Sequence, residues 1–281
     1  HRIPMSSHMT WHEIDGDARA REVLVNAPGG RLFARLWGEG RMSQARPPIV
    51  LIHDSLGSVE LWRDFPARLA AATGHPVVAY DRLGFGRSDP HPGRLETPGF
   101  VRDEARIALP ALRSGLGVDH TVLFGHSVGG AMAVVAAAEM DATTVGVITE
   151  AAQVFAEERT LAAIRAAKEA FAAPGQLERH ARYHGTKASW VLNAWTESWL
   201  APAFASWTVE DDLRRVRCPI LAMHGDRDEY GSRAHPERIA ALVPTSTDIV
   251  LFDDCGHVPH RERTDGVLTA VRMFIKTRLT L

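Results

Sequence analysis

The chain has 281 residues, 45% of them hydrophobic, enough to fill the core of one large domain or of a domain with an insertion. A formal net charge of −2 removes the electrostatic case for a nucleic-acid partner, and no basic run or apolar stretch of ~18–20 residues argues for a membrane. Two cysteines, Cys218 and Cys255, make no disulfide framework and lack zinc-ligand spacing, so a reducing, cytoplasmic setting is expected.

In chain order, the opening HRIPMSSHM reads as an expression scar with Met9 as the natural start. Residues 1–8 are therefore left out of the fold, and His1 and His8 carry no weight as metal ligands. Residues 21–25 and 31–37 read as two strands around the turn Ala27-Pro28-Gly29-Gly30, a hairpin signal. Short apolar runs then alternate with helical stretches: 48–53 (PIVLIH), 76–80 (PVVAY), 121–124 (TVLF), 144–149 (TVGVIT), 218–223 (CPILAM) and 248–252 (DIVLF). Continuous apolar strands separated by helices predict an α/β fold, a mostly parallel eight-stranded sheet covered by helices on both faces. Between Ala151 and Arg217 the rhythm stops. That interval is rich in Ala, Glu, Arg and Trp, is punctuated by Pro174-Gly175 and Pro202, and reads as several helices. A helical cap over 153–208 is expected, inserted into a core formed by 9–152 and 209–281.

The stretch VLFGHSVGGAMAV, residues 122–134, is the most telling local pattern. A serine hydroxyl is a poor nucleophile until a base takes its proton and donors receive the charge formed on the attacked oxygen. A sharp strand-to-helix turn lifts such a hydroxyl clear of the sheet, and the close approach of neighbouring chains requires small residues two positions to either side. Gly125 and Gly129 flank Ser127 in that way, in the pattern G-x-S-x-G with a strand before it and a helix after. Partners are expected downstream, acid before histidine. Two predicted strands run into candidate groups, one into Asp226 and Asp228 and the other into Asp253, Asp254 and His257. All lie past the carboxyl ends of strands, on the same edge as Ser127, where ligands gather in open α/β sheets.

Five segments in order, LIHDSLGSVELW, VVAYDRLGFGRSD, FGHSVGG, LAMHGDRDEYG and DCGHVPHRE, resemble the α/β-hydrolase superfamily with a helical cap, across nearly the whole chain. The ester, lactone and C–C bond hydrolases are the nearest in kind. The resemblance implies Ser127 as nucleophile, His257 as general base and, from the family's G-x-x-D acid segment, Asp228 rather than Asp226 as its orienter. Asp226 is expected to hold loop backbone. The oxyanion donors implied are the backbone N–H groups of Ser55 and Val128. Asp54 departs from the common His-Gly, and its carboxylate is expected to turn away and bond backbone or His53. Enol-lactone hydrolases depart there too and share the SLG run. His53 is expected to hold the loop.

Asp81, Arg82 and Asp89 read as loop-pinning groups, and Cys255 as a small buried residue. Arg182-Tyr183-His184 reads as cap surface with possible reach to substrate, and Glu150 as structural with a lesser prospect of lining the pocket. The expected cap holds Trp190, Trp195, Trp199 and Trp207, four of the chain's seven tryptophans. Trp190, Trp195 and Trp199 are spaced to share a broad helical face with Leu192. Val154, Phe155, Trp195, Trp199 and Phe204 are the expected pocket lining, suited to an apolar or aromatic substrate group.

Ser127 at the turn argues against the family members that use Asp there. His126 and Val258 depart from the G-N-S-M-G-G and His-Trp habits of the C–C hydrolases. Hydrolysis of carboxylic esters through an acyl-enzyme is therefore expected, with a lactonase or enol-lactonase next. A C–C bond hydrolase or a non-catalytic ligand-binding protein of the same fold follows. The partner is a small-molecule ester or lactone, no cofactor or metal is called for, and the chain is expected to be a monomer or homodimer.

Overall fold

The computed structural model describes residues 20–140 and 142–279, so the scar and start assigned to residues 1–9 lie outside the described residues. Strands β1 (Arg21–Ala27) and β2 (Gly30–Trp37) pair antiparallel through the expected hairpin. Gly29 turns it with φ 92°, a backbone angle that side chains resist. The rest of the sheet follows as β3 (Ile49–Ile52), β4 (Val77–Tyr80), β5 (Thr121–His126), β6 (Thr144–Glu150), β7 (Ile220–Gly225) and β8 (Thr247–Phe252). The order is β1-β2-β4-β3-β5-β6-β7-β8, with every pair from β4 to β8 parallel. The fold is the expected one.

Some strand ends run past the sequence reading, while β3 stops one residue short of it, at Ile52. β5 and β7 run on through Gly125-His126 and His224-Gly225, because the ladder continues there: His126 pairs with Glu150, and Gly225 with Phe252. A sequence reading stops at the first glycine or polar residue, whereas tertiary pairing carries the strand past it.

The central strands are buried on both faces and alternate between two cores. Val50, Ile52, Val78, Tyr80 and Leu123 face one layer, with the helix Val128–Glu139. Ile49, Leu51, Val77, Ala79, Val122 and Phe124 face the other, with the helices Phe65–Thr73 and Thr264–Arg278. Side chains of period two thus explain why the strands read as unbroken apolar runs. The chain leaves β3 toward β4 on one side and leaves β5 toward β6 on the other. This reversal opens a crevice at the carboxyl ends of β3 and β5.

Between β6 and β7 lie the helices Glu158–Phe171, Gln176–His184 and Ala188–Leu200. Their neck is a short antiparallel bridge, Phe155 opposite Thr208. Val209 N–H donates to the Val154 carbonyl at 2.9 Å, and Ala156 N–H to the Trp207 carbonyl at 2.9 Å. Side chains tie the helices down. Lys187 Nζ donates to the Gly86 carbonyl (2.8 Å) and Trp190 Nε1 to the Gly93 carbonyl (3.0 Å). His184, expected at the surface, is fully buried. Its Nδ1 accepts from Gly86 N–H (2.9 Å) and its Nε2–H donates to the Leu56 carbonyl (3.1 Å). Burial, helped by neighbouring His180, pushes His184 down to about 4, so the ring is neutral and can both accept and donate. Among the described residues no helix is long and apolar enough to cross a membrane.

Candidate active site

Ser127 follows β5 in a conformation that few side chains adopt, φ 57° and ψ −124°. The surrounding glycines explain how that strain is accommodated. A Cβ on Gly125 would lie 2.0 Å from the Gly129 carbonyl oxygen, and one on Gly129 would lie 2.2 Å from that of Ile52. Ser127 N–H is anchored on the Glu150 carbonyl at 2.9 Å, and Val128 follows as the first residue of the helix Val128–Glu139. An N–H at that position has no intrahelical acceptor and is free to meet a developing oxyanion.

Three strand ends converge on the serine. His257 Nε2 lies 3.0 Å from Ser127 Oγ, and His257 Nδ1 lies 2.8 and 2.9 Å from the two oxygens of Asp228. Asp228 also accepts from Tyr230 N–H at 2.8 Å. Burial pushes the Asp228 carboxyl up, but its bond to His257 and nearby His224 outweigh this, and its pKa falls below the usual carboxylate value. Burial likewise pushes His257 down, and the Asp228 bond more than restores it, so its pKa is raised from 6.5. Asp226 is not at the histidine. It accepts from Cys255 N–H at 3.1 Å and holds the loop that carries His257.

The cleft above Ser127 is lined by Asp54, Ser55 and Leu56 from the loop after β3, by Gln153, Tyr230 and His257, and by Thr160, Ile164, Trp195 and Trp199 from the helical insertion. The cleft thus takes in Trp195 and Trp199, and Ser55 shares it with Ser127. Val154, Phe155 and Phe204 do not line it. Val154 is fully buried in the core, its backbone engaged in the neck of the insertion. Phe155 stacks on His235 at 4.4 Å beneath the Arg238 guanidinium. Phe204 stands behind Trp199, packed between Trp207 and Phe100. Being apolar and near the neck was not enough, because the neck packs these side chains into the core on one face of the sheet. Trp190 diverges from the other two tryptophans and stacks on His91 at 4.9 Å.

Gln153, Tyr230, Thr160, Ile164 and Leu56 escaped the sequence reading. Gln153 and Tyr230 had a signal, since both follow strand ends by a few residues, on the rim already assigned to the chemistry. Thr160 and Ile164 share a helix face at a spacing of four, which marks a face but not what it covers.

The neighbouring polar residues divide into supports. His53 Nδ1–H donates to the Asp54 carbonyl (2.8 Å) and Nε2 accepts from Arg82 N–H (3.0 Å), so the ring pins the loop. Burial and the Arg82 charge push His53 down to about 3. Asp54 is among the residues lining the cleft, and the His53 ring bonds its backbone carbonyl rather than its carboxylate. Its Oδ1 lies over Gly57, where a Cβ would approach to 2.2 Å. Burial pushes the Asp54 carboxyl up, yet the histidines at 126, 53, 257 and 260 outweigh it and the net shift is downward. Asp81 accepts from Val59 and Arg87 N–H, Arg82 pairs with Glu96, and Asp89 pairs with Arg31, all as loop supports. Cys255 is fully buried, and burial pushes its thiol up to about 12.

Glu150 is fully buried below the site rather than in the cleft, and accepts from His260 N–H (2.5 Å) and the His260 ring (2.7 Å). His126, Glu150 and His260 bring three potential metal-ligand atoms within 4.8 Å of one another. The His260–Glu150 bond and a His126 Nε2 bond to the His257 carbonyl (2.8 Å) already use these side chains, which makes the cluster a footing for the histidine loop.

The model of the alpha/beta hydrolase family matches residues 49–270. Proline iminopeptidase of Lactobacillus helveticus is 24% identical over 88% of this chain and 95% of its own length. Proline iminopeptidase of Levilactobacillus brevis is 37% identical over a shorter stretch, 34% of this chain and 31% of that protein. Among solved structures, an esterase from Rhodococcus sp. superposes with a TM-score of 0.67 at 22% identity, over 92% of this chain and 99% of that one. A serine hydrolase from the polyaromatic hydrocarbon-degrading Cycloclasticus zankles gives 0.76 at 15% identity, over 94% of this chain and 100% of that one.

Proposed function

This chain belongs to the alpha/beta hydrolase family, and from that premise and its site geometry we propose that it cleaves carboxylic esters of small apolar or aromatic groups through an acyl-enzyme on Ser127. One observation carries the reading: a strained serine, 3.0 Å from an imidazole that is itself held 2.8 Å from a buried carboxylate. In this reading His257 Nε2 takes the Ser127 proton as Oγ attacks the ester carbonyl, and the N–H groups of Ser55 and Val128 receive the oxyanion. His257 then protonates the leaving alcohol, and Asp228 stabilises the imidazolium. Water, activated by the same imidazole, releases the acid. Trp195, Trp199, Ile164 and Leu56 supply the apolar wall for the acyl or alcohol group, with the helical insertion acting as a cap.

Lactones are the same chemistry on a ring and stay within this proposal as the next substrate class. Turnover of p-nitrophenyl butyrate tests it: Ser127→Ala should lose at least ~10³-fold in kcat. Equal rates for both proteins would reject it in favour of a ligand-binding role.

A second reading rests on Asp54. An ionised carboxylate on the cleft wall opposes an oxyanion but attracts a substrate ammonium group, which an enzyme releasing N-terminal residues must hold. The proline iminopeptidase relatives make this the peptidase alternative. Prolyl and alanyl p-nitroanilides assayed beside the butyrate ester separate the two.

A further inference from the structure

Ser127 Oγ has two acceptors beside it and only one proton. His257 Nδ1, held between the two Asp228 oxygens, carries the proton of the neutral ring, so Nε2 accepts. On the β6 side, Ser127 Oγ–H donates to Gln153 Oε1 at 2.8 Å. Both partners lie within 3.0 Å of the same oxygen. The conflict resolves in either of two ways. The Gln153 amide can turn over, offering Nε2–H to Oγ while the serine proton goes to His257, or the imidazole can be protonated and donate to Oγ. A carboxamide serves both states because it has a donor end and an acceptor end of the same shape. Gln153 is only 3% exposed, lines the cleft and comes three residues past β6. β6 flanks β5 on the side away from β3, so Gln153 reaches Ser127 from the strand opposite the one that leads to Ser55.

We propose that Gln153 is a catalytic residue that seats the hydrolytic water on the acyl-enzyme. The inference rests on the acyl-enzyme reading given above. When Oγ becomes bonded to the acyl carbon, its proton has left with the alcohol through His257. Gln153 Oε1 has then lost its donor, and His257 Nε2 is again an acceptor. A buried acceptor left unpaired is costly, and one water can satisfy both groups, giving a hydrogen to each. Its oxygen bonds the acyl carbon as His257 Nε2 takes the first proton, while the second hydrogen stays on that oxygen, held by Oε1. The tetrahedral intermediate then breaks the acyl C–Oγ bond, Oγ recovers the proton from Nε2, and the carboxylic acid departs. Gln153 thereby acts chiefly on the second half of the reaction, because in the first half its bond to Oγ–H must already be given up before His257 takes the serine proton.

Gln153→Met, similar in length but without the amide, is the direct test, read by stopped-flow with p-nitrophenyl butyrate and by intact mass. The expected result is acylation within about threefold of wild type, deacylation slower on the order of 10²-fold, and accumulation of a butyryl adduct on Ser127. Added methanol should also capture a larger share of the acyl group than in wild type. Gln153→Ser, smaller and still polar, should show the same split if the methionine variant does not fold. Acylation and deacylation falling together, or neither changing, would overturn the role of Gln153 alone. A wild type that turns over ester with no adduct at Ser127 under any condition would overturn the acyl-enzyme reading and this inference with it.

Discussion

The rim of the sheet and the helical insertion above it are built on different principles. At the rim, Ser127, Asp228 and His257 stand one, three and five residues past strand ends, and hydrogen-bonded ladders fix those ends relative to one another. The insertion closes its own neck with the Phe155–Thr208 bridge and meets the core through separate side-chain bonds from Glu157, Arg159, Thr160, His184, Lys187 and Trp190 rather than through a ladder. The first region holds atoms to the tolerance that proton transfer needs. The second holds apolar bulk, Trp195 and Trp199, to the looser tolerance that substrate choice needs. His184 joins them, since its bond to the Leu56 carbonyl ties the insertion to the loop that carries Ser55.

The sharpest break between the two regions should come from the rim. Asp228→Asn leaves shape intact but removes the charge that holds the imidazole, and a kcat loss of about 10⁴-fold is expected in steady-state ester assays. Asp226→Asn, two positions away, should change kcat only a few-fold, and the reverse order would reassign the acid. A mutation on the joint between the regions should be intermediate. His184→Phe fills similar space without either hydrogen bond, and about a tenfold loss in kcat/KM is expected from a freer oxyanion loop. In the insertion itself, Trp199→Ala should leave butyrate turnover within several-fold of wild type while shifting preference toward longer acyl chains, since each methylene in such a pocket is worth about 1–3 kcal/mol. An unchanged chain-length profile would remove Trp199 from substrate selection.

The smallest effects are those of pH, and they too differ by region. At the rim His257 must be neutral to act as base, and its pKa is raised by Asp228, so the acid limb of kcat/KM should have its midpoint above 6.5. In the insertion His184 titrates near 4 when folded against 6.5 when free. A group with a depressed folded value gives stability that is complete above the free value and is lost as pH falls toward the folded one. Tryptophan emission should therefore report loosening of the insertion between pH 6.5 and 4, and His184→Phe should reduce that step, the remainder belonging to neighbouring His180, which burial also pushes down to about 4.

Much of the rim was legible because its residues are tied to local signals. G-x-S-x-G needs its glycines for a steric reason visible in sequence, and the loops after PILAM and DIVLF bring an acid and a histidine to the same edge by topology. The choice between Asp226 and Asp228 came from family resemblance, and the geometry sets Asp228 beside His257 while Asp226 braces the backbone of Cys255. The insertion was less legible. Helical spacing marked Trp195 and Trp199, whereas Val154, Phe155 and Phe204 were marked only by being apolar in the insertion, and these pack into the neck and behind the wall. His184 read as a surface residue because nothing local announces that a carbonyl from one loop and an N–H from another will close over it.

By itself, then, the amino-acid sequence determined the sheet, its two-sided burial, the serine turn and the order in which the remaining groups arrive. Those follow from short-range sterics and from the period of apolar residues. Only the tertiary structure decided that Asp54 lines the cleft, that Gln153 reaches the serine oxygen, and which aromatic rings face substrate. Each of these depends on the direction of a side chain across a gap between distant segments, and periodicity carries no information at that scale.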